Sequence, residues 1–234
     1  MTTQVDRRTV FGLGMGAVAT AAVATAAGQT SAQTVASAAK VLEPQPLPFD
    51  PKAIAGLSEK ILTSHHANNY TGAVKRLNAI EAEITKLDLK SAPVFAVNGL
   101  KREELIALNS AVLHEIYFRS IGPANRTPGA ALADQIETDF GSHARWALEF
   151  SAMGKALGGG SGWVLLTWSP RFGRLVNTRA ADHTMTAADG QVLLALDMYE
   201  HAYQMDYGAK AAAYVDAYMA TVDWAYASSL FKGA

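Results

Sequence analysis

Apolar residues recur along this chain in two rhythms, and the switch between them is the first clue to its architecture. From Ser58, a residue type that caps helices, Ile61, Leu62, His65, Val74 and Leu77 fall at helical spacing. This predicts a helix continuing towards Ile80 and Ile84. Leu62, His65, Asn69 and Ala73 share one stripe of it, so an imidazole points at whatever the helix packs on. A loop with Ser91, Pro93 and Gly99 leads to a second helix over residues 102–119. Leu105, Leu108, Val112 and Tyr117 are among its apolar positions, and His114 comes late in it. The stretch Gly122-Pro123-Ala124-Asn125-Arg126-Thr127-Pro128-Gly129 breaks the pattern and marks a boundary between two lobes.

Helices are expected next over 131–139 and 143–157, ended by Gly158-Gly159-Gly160-Ser161-Gly162. The rhythm then changes. Residues 163–168, 175–179 and 192–196 are short apolar runs bounded by turn residues, which read as strands. Ser169-Pro170-Arg171-Phe172-Gly173 joins the first two as a hairpin. A last helix is expected over 211–226. The fold class is α+β: an N-terminal helical hairpin, then an α/β lobe with a small three-stranded antiparallel sheet. The domain boundaries are a leader over 1–40, the hairpin over 41–125 and the α/β lobe over 126–234.

Composition narrows the function. A chain of 234 residues with net charge −1 and no long basic run does not suit nucleic acid as main partner. With no cysteine there is no disulfide, thiolate metal site or cysteine nucleophile, which is compatible with an oxidising compartment. Asp6-Arg7-Arg8-Thr9-Val10-Phe11, followed by a weakly apolar Ala/Gly/Val run, reads as a twin-arginine export signal with small-residue cleavage sites near Ala32 or Ala38. That implies export in the folded state to the periplasm or beyond, with no membrane attachment after signal removal. Glu43-Pro44-Gln45-Pro46-Leu47-Pro48-Phe49-Asp50-Pro51 reads as an extended linker.

The chemistry centres on Asp197-Met198-Tyr199-Glu200-His201-Ala202-Tyr203. Asp197 sits where the third strand leaves the core and His201 lies in the turn after it. A carboxylate with a neutral imidazole suits Fe, Mn or Zn. Taken singly, His65 and His114 could equally be core histidines bonded to backbone carbonyls. His143 and His183 lie in polar stretches and read as surface residues.

The chain resembles the iron/manganese superoxide dismutase family. The pieces that carry the resemblance are Leu47-Pro48-Phe49-Asp50, His65-His66, His114, Asp139-Phe140-Gly141-Ser142, Gly160-Ser161-Gly162-Trp163 and the segment from Asp197 to Tyr203, with Val222-Asp223-Trp224 near the end. The resemblance implies that His65, His114, Asp197 and His201 hold one Fe or Mn ion per subunit, with a fifth position open for water or hydroxide. It implies superoxide as substrate, dioxygen and hydrogen peroxide as products, and a homodimer through Glu200–His201 contacts.

The residues around these ligands depart from the family pattern. Asn69 stands for a His and Ala73 for a Tyr at the entrance. The Gln that bonds the metal-bound water is expected at position 159 or 110, where this chain has Gly159 and Ser110. Tyr199 replaces a Trp, and Ala211, beside Lys210, replaces an Arg; Glu200 and Tyr203 are kept. Tyr203, Glu200, Tyr199 and Asn69 are therefore the residues expected to assist catalysis. Asn69 and Gln204 stand where a cross-dimer His–Tyr pair is common, and Tyr199, Tyr70 or an extra water could replace the missing Gln. Two further readings follow from these gaps. One is a metal-binding homologue without fast dismutation, used for metal storage, sensing or another one-electron reaction. The other is a structural descendant with an empty site, against which the four retained ligands count.

Overall fold

The proline-rich strap has no helix or strand ladder of its own, so side chains hold it. Asn78 accepts from the Leu42 N–H at 2.9 Å and donates to the Leu42 carbonyl at 2.8 Å. In this computed structural model the described residues are 41–123 and 127–231. The expected leader with Arg7 and Arg8, and the boundary expected between 125 and 126, lie outside them.

The first predicted helix is a continuous rod in three parts: α1 (Glu59–Ser64), a π-helical turn (His65–Tyr70) and α2 (Thr71–Thr85). Ser58 caps it, its Oγ accepting the Ile61 N–H at 3.1 Å. The wider turn, a form often found at functional sites, leaves both His65 and Tyr70 buried. The second helix, α3 (Val94–Arg119), starts eight residues before the expected 102. Gly99 therefore lies inside a helix and not in a loop. A side chain there would meet nothing, so its cost is the ordinary glycine penalty of about 1 kcal/mol. Leu105, Leu108 and Val112 are over 40% exposed; α3 instead buries Ala107, Ala111, Leu113, His114, Ile116, Tyr117 and Phe118.

The second lobe begins with α4 (Ala130–Phe140) and α5 (His143–Ala156). Gly141, at φ 81°, turns the chain between them, and Ser142 caps α5 through the Arg145 N–H. The three strands form where expected: β1 (Trp163–Ser169), β2 (Arg174–Ala180) and β3 (Gln191–Asp197). The sheet is antiparallel with order β2-β1-β3 and pairs Trp163 with Asp197. β1 is buried along its whole length, as a central strand under α5 should be. α3 packs against β3, so the two lobes share one core.

A 3-10 turn (Glu200–Ala202) and α6 (Gln204–Tyr207) follow β3. The expected last helix is two, α7 (Ala211–Thr221) and α8 (Trp224–Leu230). The break is made by distant chain: Val222 bridges to Ile121, and the Asp223 N–H donates to the Ser120 carbonyl at 2.7 Å. The Asp223 carboxylate then caps α8 through the Ala225 N–H.

Candidate metal centre

Four elements deliver one side chain each to a common point. His65 opens the π-helical turn, His114 comes from the late part of α3, Asp197 ends β3 and His201 sits in the turn beyond. Their orientation is fixed from outside. The Nδ1–H of His114 donates to the Ser110 carbonyl at 2.6 Å; a carbonyl only accepts, so Nε2 is left unprotonated and available as a ligand. Asp197 is held on both sides: Tyr214 donates to its backbone carbonyl at 2.8 Å, and the Tyr199 N–H donates to Oδ1 at 2.9 Å. Oδ2 is left facing the histidines.

One ligand atom from each of the four lies within 4.8 Å of every other. Asp197 Oδ2 is 3.0 Å from His65 Nε2, 3.1 Å from His201 Nε2 and 3.5 Å from His114 Nε2. Ligands about 2.1 Å from a shared ion stand roughly 3.0–3.6 Å apart at angles of 90–120°, so these separations fit one ion. A second observation agrees. The Nε2 atoms of His65 and His114 are buried without a hydrogen-bond partner among the described residues, although a carboxylate is close. Buried polar nitrogens are rarely left so. An ion shared by all four would satisfy them.

The electrostatics suit the same use. Burial pushes the imidazoles of His65 and His114 down, His114 to about 3, so both are neutral at physiological pH. Burial would raise Asp197, but its hydrogen bond to His201 and the close approach of the imidazoles outweigh that and hold it low. Neutral imidazoles and an ionised carboxylate are the protonation states a metal requires.

Comparison with known proteins agrees with this cluster. The family model described as iron/manganese superoxide dismutases, C-terminal domain, matches residues 128–230. A superoxide dismutase [Fe] of Cupriavidus metallidurans is 62% identical over 192 residues, covering 82% of this chain and 97% of the relative. The chain belongs to the iron/manganese superoxide dismutase family. More distant members include superoxide dismutase [Mn] 1 of Halobacterium salinarum, 33% identical over 81% of this chain and 94% of its own. Another is a superoxide dismutase [Fe] of Pyrobaculum aerophilum, 33% identical over 76% of this chain and 86% of its own. The cluster can therefore hold iron or manganese, and superoxide dismutases carrying either name are among its relatives.

Around the cluster, one expectation read from a polar stretch needs correction. His183, expected at the surface, is packed inward. Its ring lies 6.2 Å from that of His114 and 4.9 Å from that of Tyr199, near-parallel to both, and 5.7 Å from Trp163. Its Nδ1 is 3.2 Å from the Tyr199 hydroxyl, and its Nε2 is buried with no partner among the described residues. Asn109 on α3 draws the loop in by donating to the His183 carbonyl at 2.6 Å. Sequence reasoning missed this because a polar loop gives no sign of folding back over Trp163; the available signal was an imidazole a few residues after a strand that pairs beside Asp197. His143 is exposed, as expected.

The other candidates divide. Gly159 stands at φ 80° with open space where a side chain would begin. Ser110 touches His114 at Nδ1, on the side away from Nε2. Tyr70 is no substitute for the missing Gln: its hydroxyl donates to Glu115 at 2.6 Å and accepts from the Gln45 N–H at 2.8 Å. Tyr199 does reach the site, stacked on His201 at 5.4 Å. Tyr203 is buried and stacked on Tyr214. Asn69 is half-buried and Glu200 exposed, and neither side chain makes a hydrogen bond within the described residues. Tyr117 and Phe118 pack their rings 5.0 Å from His65 and keep that side apolar.

Proposed function

We propose that this chain is an exported superoxide dismutase, working as a homodimer with one iron or manganese ion per subunit held by His65, His114, Asp197 and His201. The observation that carries the proposal is the convergence of these four ligand atoms within 4.8 Å, two of them buried nitrogens without a hydrogen-bond partner among the described residues. When bound, the ion supplies one-electron chemistry: two superoxide ions become dioxygen and hydrogen peroxide, with one electron passed between them and two protons taken up.

The chain's own groups do the rest. Asp197 contributes the one negative charge among the four, and the Tyr199 N–H on Oδ1 keeps its Oδ2 turned towards the histidines. The Ser110 carbonyl holds His114 in the tautomer that binds. His183 packs an imidazole against His114, its Nε2 buried with no partner among the described residues, and this supports dismutation in spite of Gly159 and Ser110. Tyr117 and Phe118 exclude water from the His65 side, which strengthens every charge interaction in the site.

Export rests on Arg7-Arg8 and the run that follows them, within a leader read as 1–40 ahead of a hairpin over 41–125 and a lobe over 126–234. Replacing both arginines by lysine should leave the protein in the cytoplasm; unchanged export would remove this part. The dimer is supported by Glu200, Asn69 and Gln204, polar side chains beside the site with no hydrogen bond among the described residues. Glu200→Ala should shift the mass in dilute solution towards that of a monomer.

The metal-binding homologue without fast dismutation is favoured by one observation: Ala73, buried at the entrance position, brings no hydroxyl. Metal analysis of purified protein beside a superoxide-consumption assay decides. Stoichiometric iron or manganese with consumption well above that of the free ion supports the dismutase. Bound metal without consumption supports the homologue, and no metal in protein made with both ions sinks both.

A further inference from the structure

The second nitrogen of His183 is where the chain departs from what its family pattern suggests, and its partner is a residue that is itself a replacement. We propose that Tyr199 is a positioning residue whose hydroxyl donates to His183 Nδ1 and so fixes the tautomer that presents Nε2–H towards the His65–His114–Asp197–His201 cluster. This rests on the dismutase reading and adds to it a specific donor and the group that sets it.

A neutral imidazole carries one proton, and whichever nitrogen bonds a donor leaves the proton on the other. Tyr199 Oη and His183 Nδ1 are 3.2 Å apart, so one of them donates. The chemistry of the two groups decides which. A phenol O–H is the stronger donor and a neutral imidazole nitrogen the stronger acceptor, and the Ser161 hydroxyl is given to the Ala181 carbonyl at 3.5 Å and not to the phenol. With the phenol proton on the bond to Nδ1, the His183 proton sits on Nε2. That Nε2 is buried and has no acceptor in the described chain. A buried N–H without an acceptor is costly, whereas a solvent molecule held by the ion would supply one.

The ring is not free to choose otherwise. Near-parallel rings of His114 and Tyr199 flank it, and Asn109 pins its backbone carbonyl. Phenylalanine at 199 would keep the ring contact and lose the tautomer control.

Two measurements test this. The first is the pair of ring 15N shifts of His183 in the full chain loaded with zinc as a diamagnetic ion. Wild type should show the proton on Nε2, and Tyr199→Phe should show it moved to Nδ1 or shared. A proton on Nδ1 in wild type overturns the proposal. The second is the midpoint potential of the iron-loaded protein. A donor aimed at solvent held by the ion would favour hydroxide over water, and with it the oxidised ion, which acidifies that solvent more, so Tyr199→Phe should lower the oxidised-to-reduced ratio roughly tenfold at a fixed potential, a rise of about 59 mV. In a His183→Ala background the same substitution should change nothing. A shift of equal size there shows that Tyr199 acts by another route and overturns the proposal, as does an unchanged potential in Tyr199→Phe alone. Wild-type protein that holds iron but consumes no superoxide removes the dismutase reading and leaves both readouts standing.

Discussion

His65 Nε2 stands 3.0 Å from Asp197 Oδ2, and although both atoms are buried they are not aligned as a hydrogen bond. Two groups able to satisfy each other instead aim past one another at a third point. The first prediction follows from this. Asp197→Asn keeps an acceptor for the Tyr199 N–H but removes the charge, and stoichiometric iron or manganese should be lost on purification. His114→Ala should do the same. Metal retained at one ion per chain in either variant would show that the four side chains are not the ligand set.

The same burial gives the metal-free protein an acid-sensitive stability. His65 and His114 are depressed from 6.5, His114 to about 3, because burial disfavours the charged ring. A depressed imidazole takes its proton more readily once unfolded. The unfolded chain therefore gains more protons as pH falls below about 6.5, and stability falls with it, by up to about 1.4 kcal/mol per pH unit for each histidine. Asp197, also held low, acts in the same direction but only below about 4, where an unfolded carboxylate begins to protonate. Urea midpoints of chelator-stripped protein should be level from pH 8 to 7 and drop steadily towards pH 5. A level profile down to pH 5 would mean that these rings are not buried neutral.

How far the site was legible in the sequence depends on whether each feature is made locally. The three strands and the Ser58 cap are set by short-range patterns and were readable, whereas the side chains at 65, 114, 197 and 201 came as a set only through the family resemblance, and the structure brings them together. The break between α7 and α8 was not, because Ile121 and Ser120, about a hundred positions away, create it by pairing with Val222 and Asp223. Nor was the π-helical turn, which spaces its residues differently from the helical rule used to read them. His183 was misplaced for the reason given by Asn109: a polar loop is pulled inward by one long-range hydrogen bond. Gly99 misled in the opposite sense, as a helix breaker on an open face where nothing exposes the error.

A third prediction concerns how the helix bearing His65 is tied to the second lobe. Asp206 accepts from the Ser58 N–H and from its Oγ–H, both at 2.7 Å, while the same Oγ caps α1. Ser58→Ala and Asp206→Ala should each cost about 1 kcal/mol, the usual worth of a helix cap. Since they remove one shared arrangement, the double variant should cost well under their sum. Strictly additive urea midpoints would count against a joint cap.

The last prediction lies at the corner where β1 begins. Gly162 has φ 129°, a conformation side chains rarely adopt, and a Cβ there would run into the Ala180 carbonyl, with Ala181 backbone atoms at 3.3 Å. Neither can yield, because β2 is paired to β1 at Ala180–Trp163. The Gly162 carbonyl also accepts from the Met198 N–H at 2.9 Å, so any shift is passed to the chain between Asp197 and Tyr199. Gly162→Ala should therefore cost about 3 kcal/mol or more through strain and overpacking. It should also weaken metal retention, since Asp197 moves with its strand. Gly159→Ala, at φ 80° but in open space, should cost about 1–2 kcal/mol from strain alone and leave bound metal unchanged. Denaturant midpoints and metal content of the two variants check this together; equal losses would mean that the close approach at Gly162 contributes nothing.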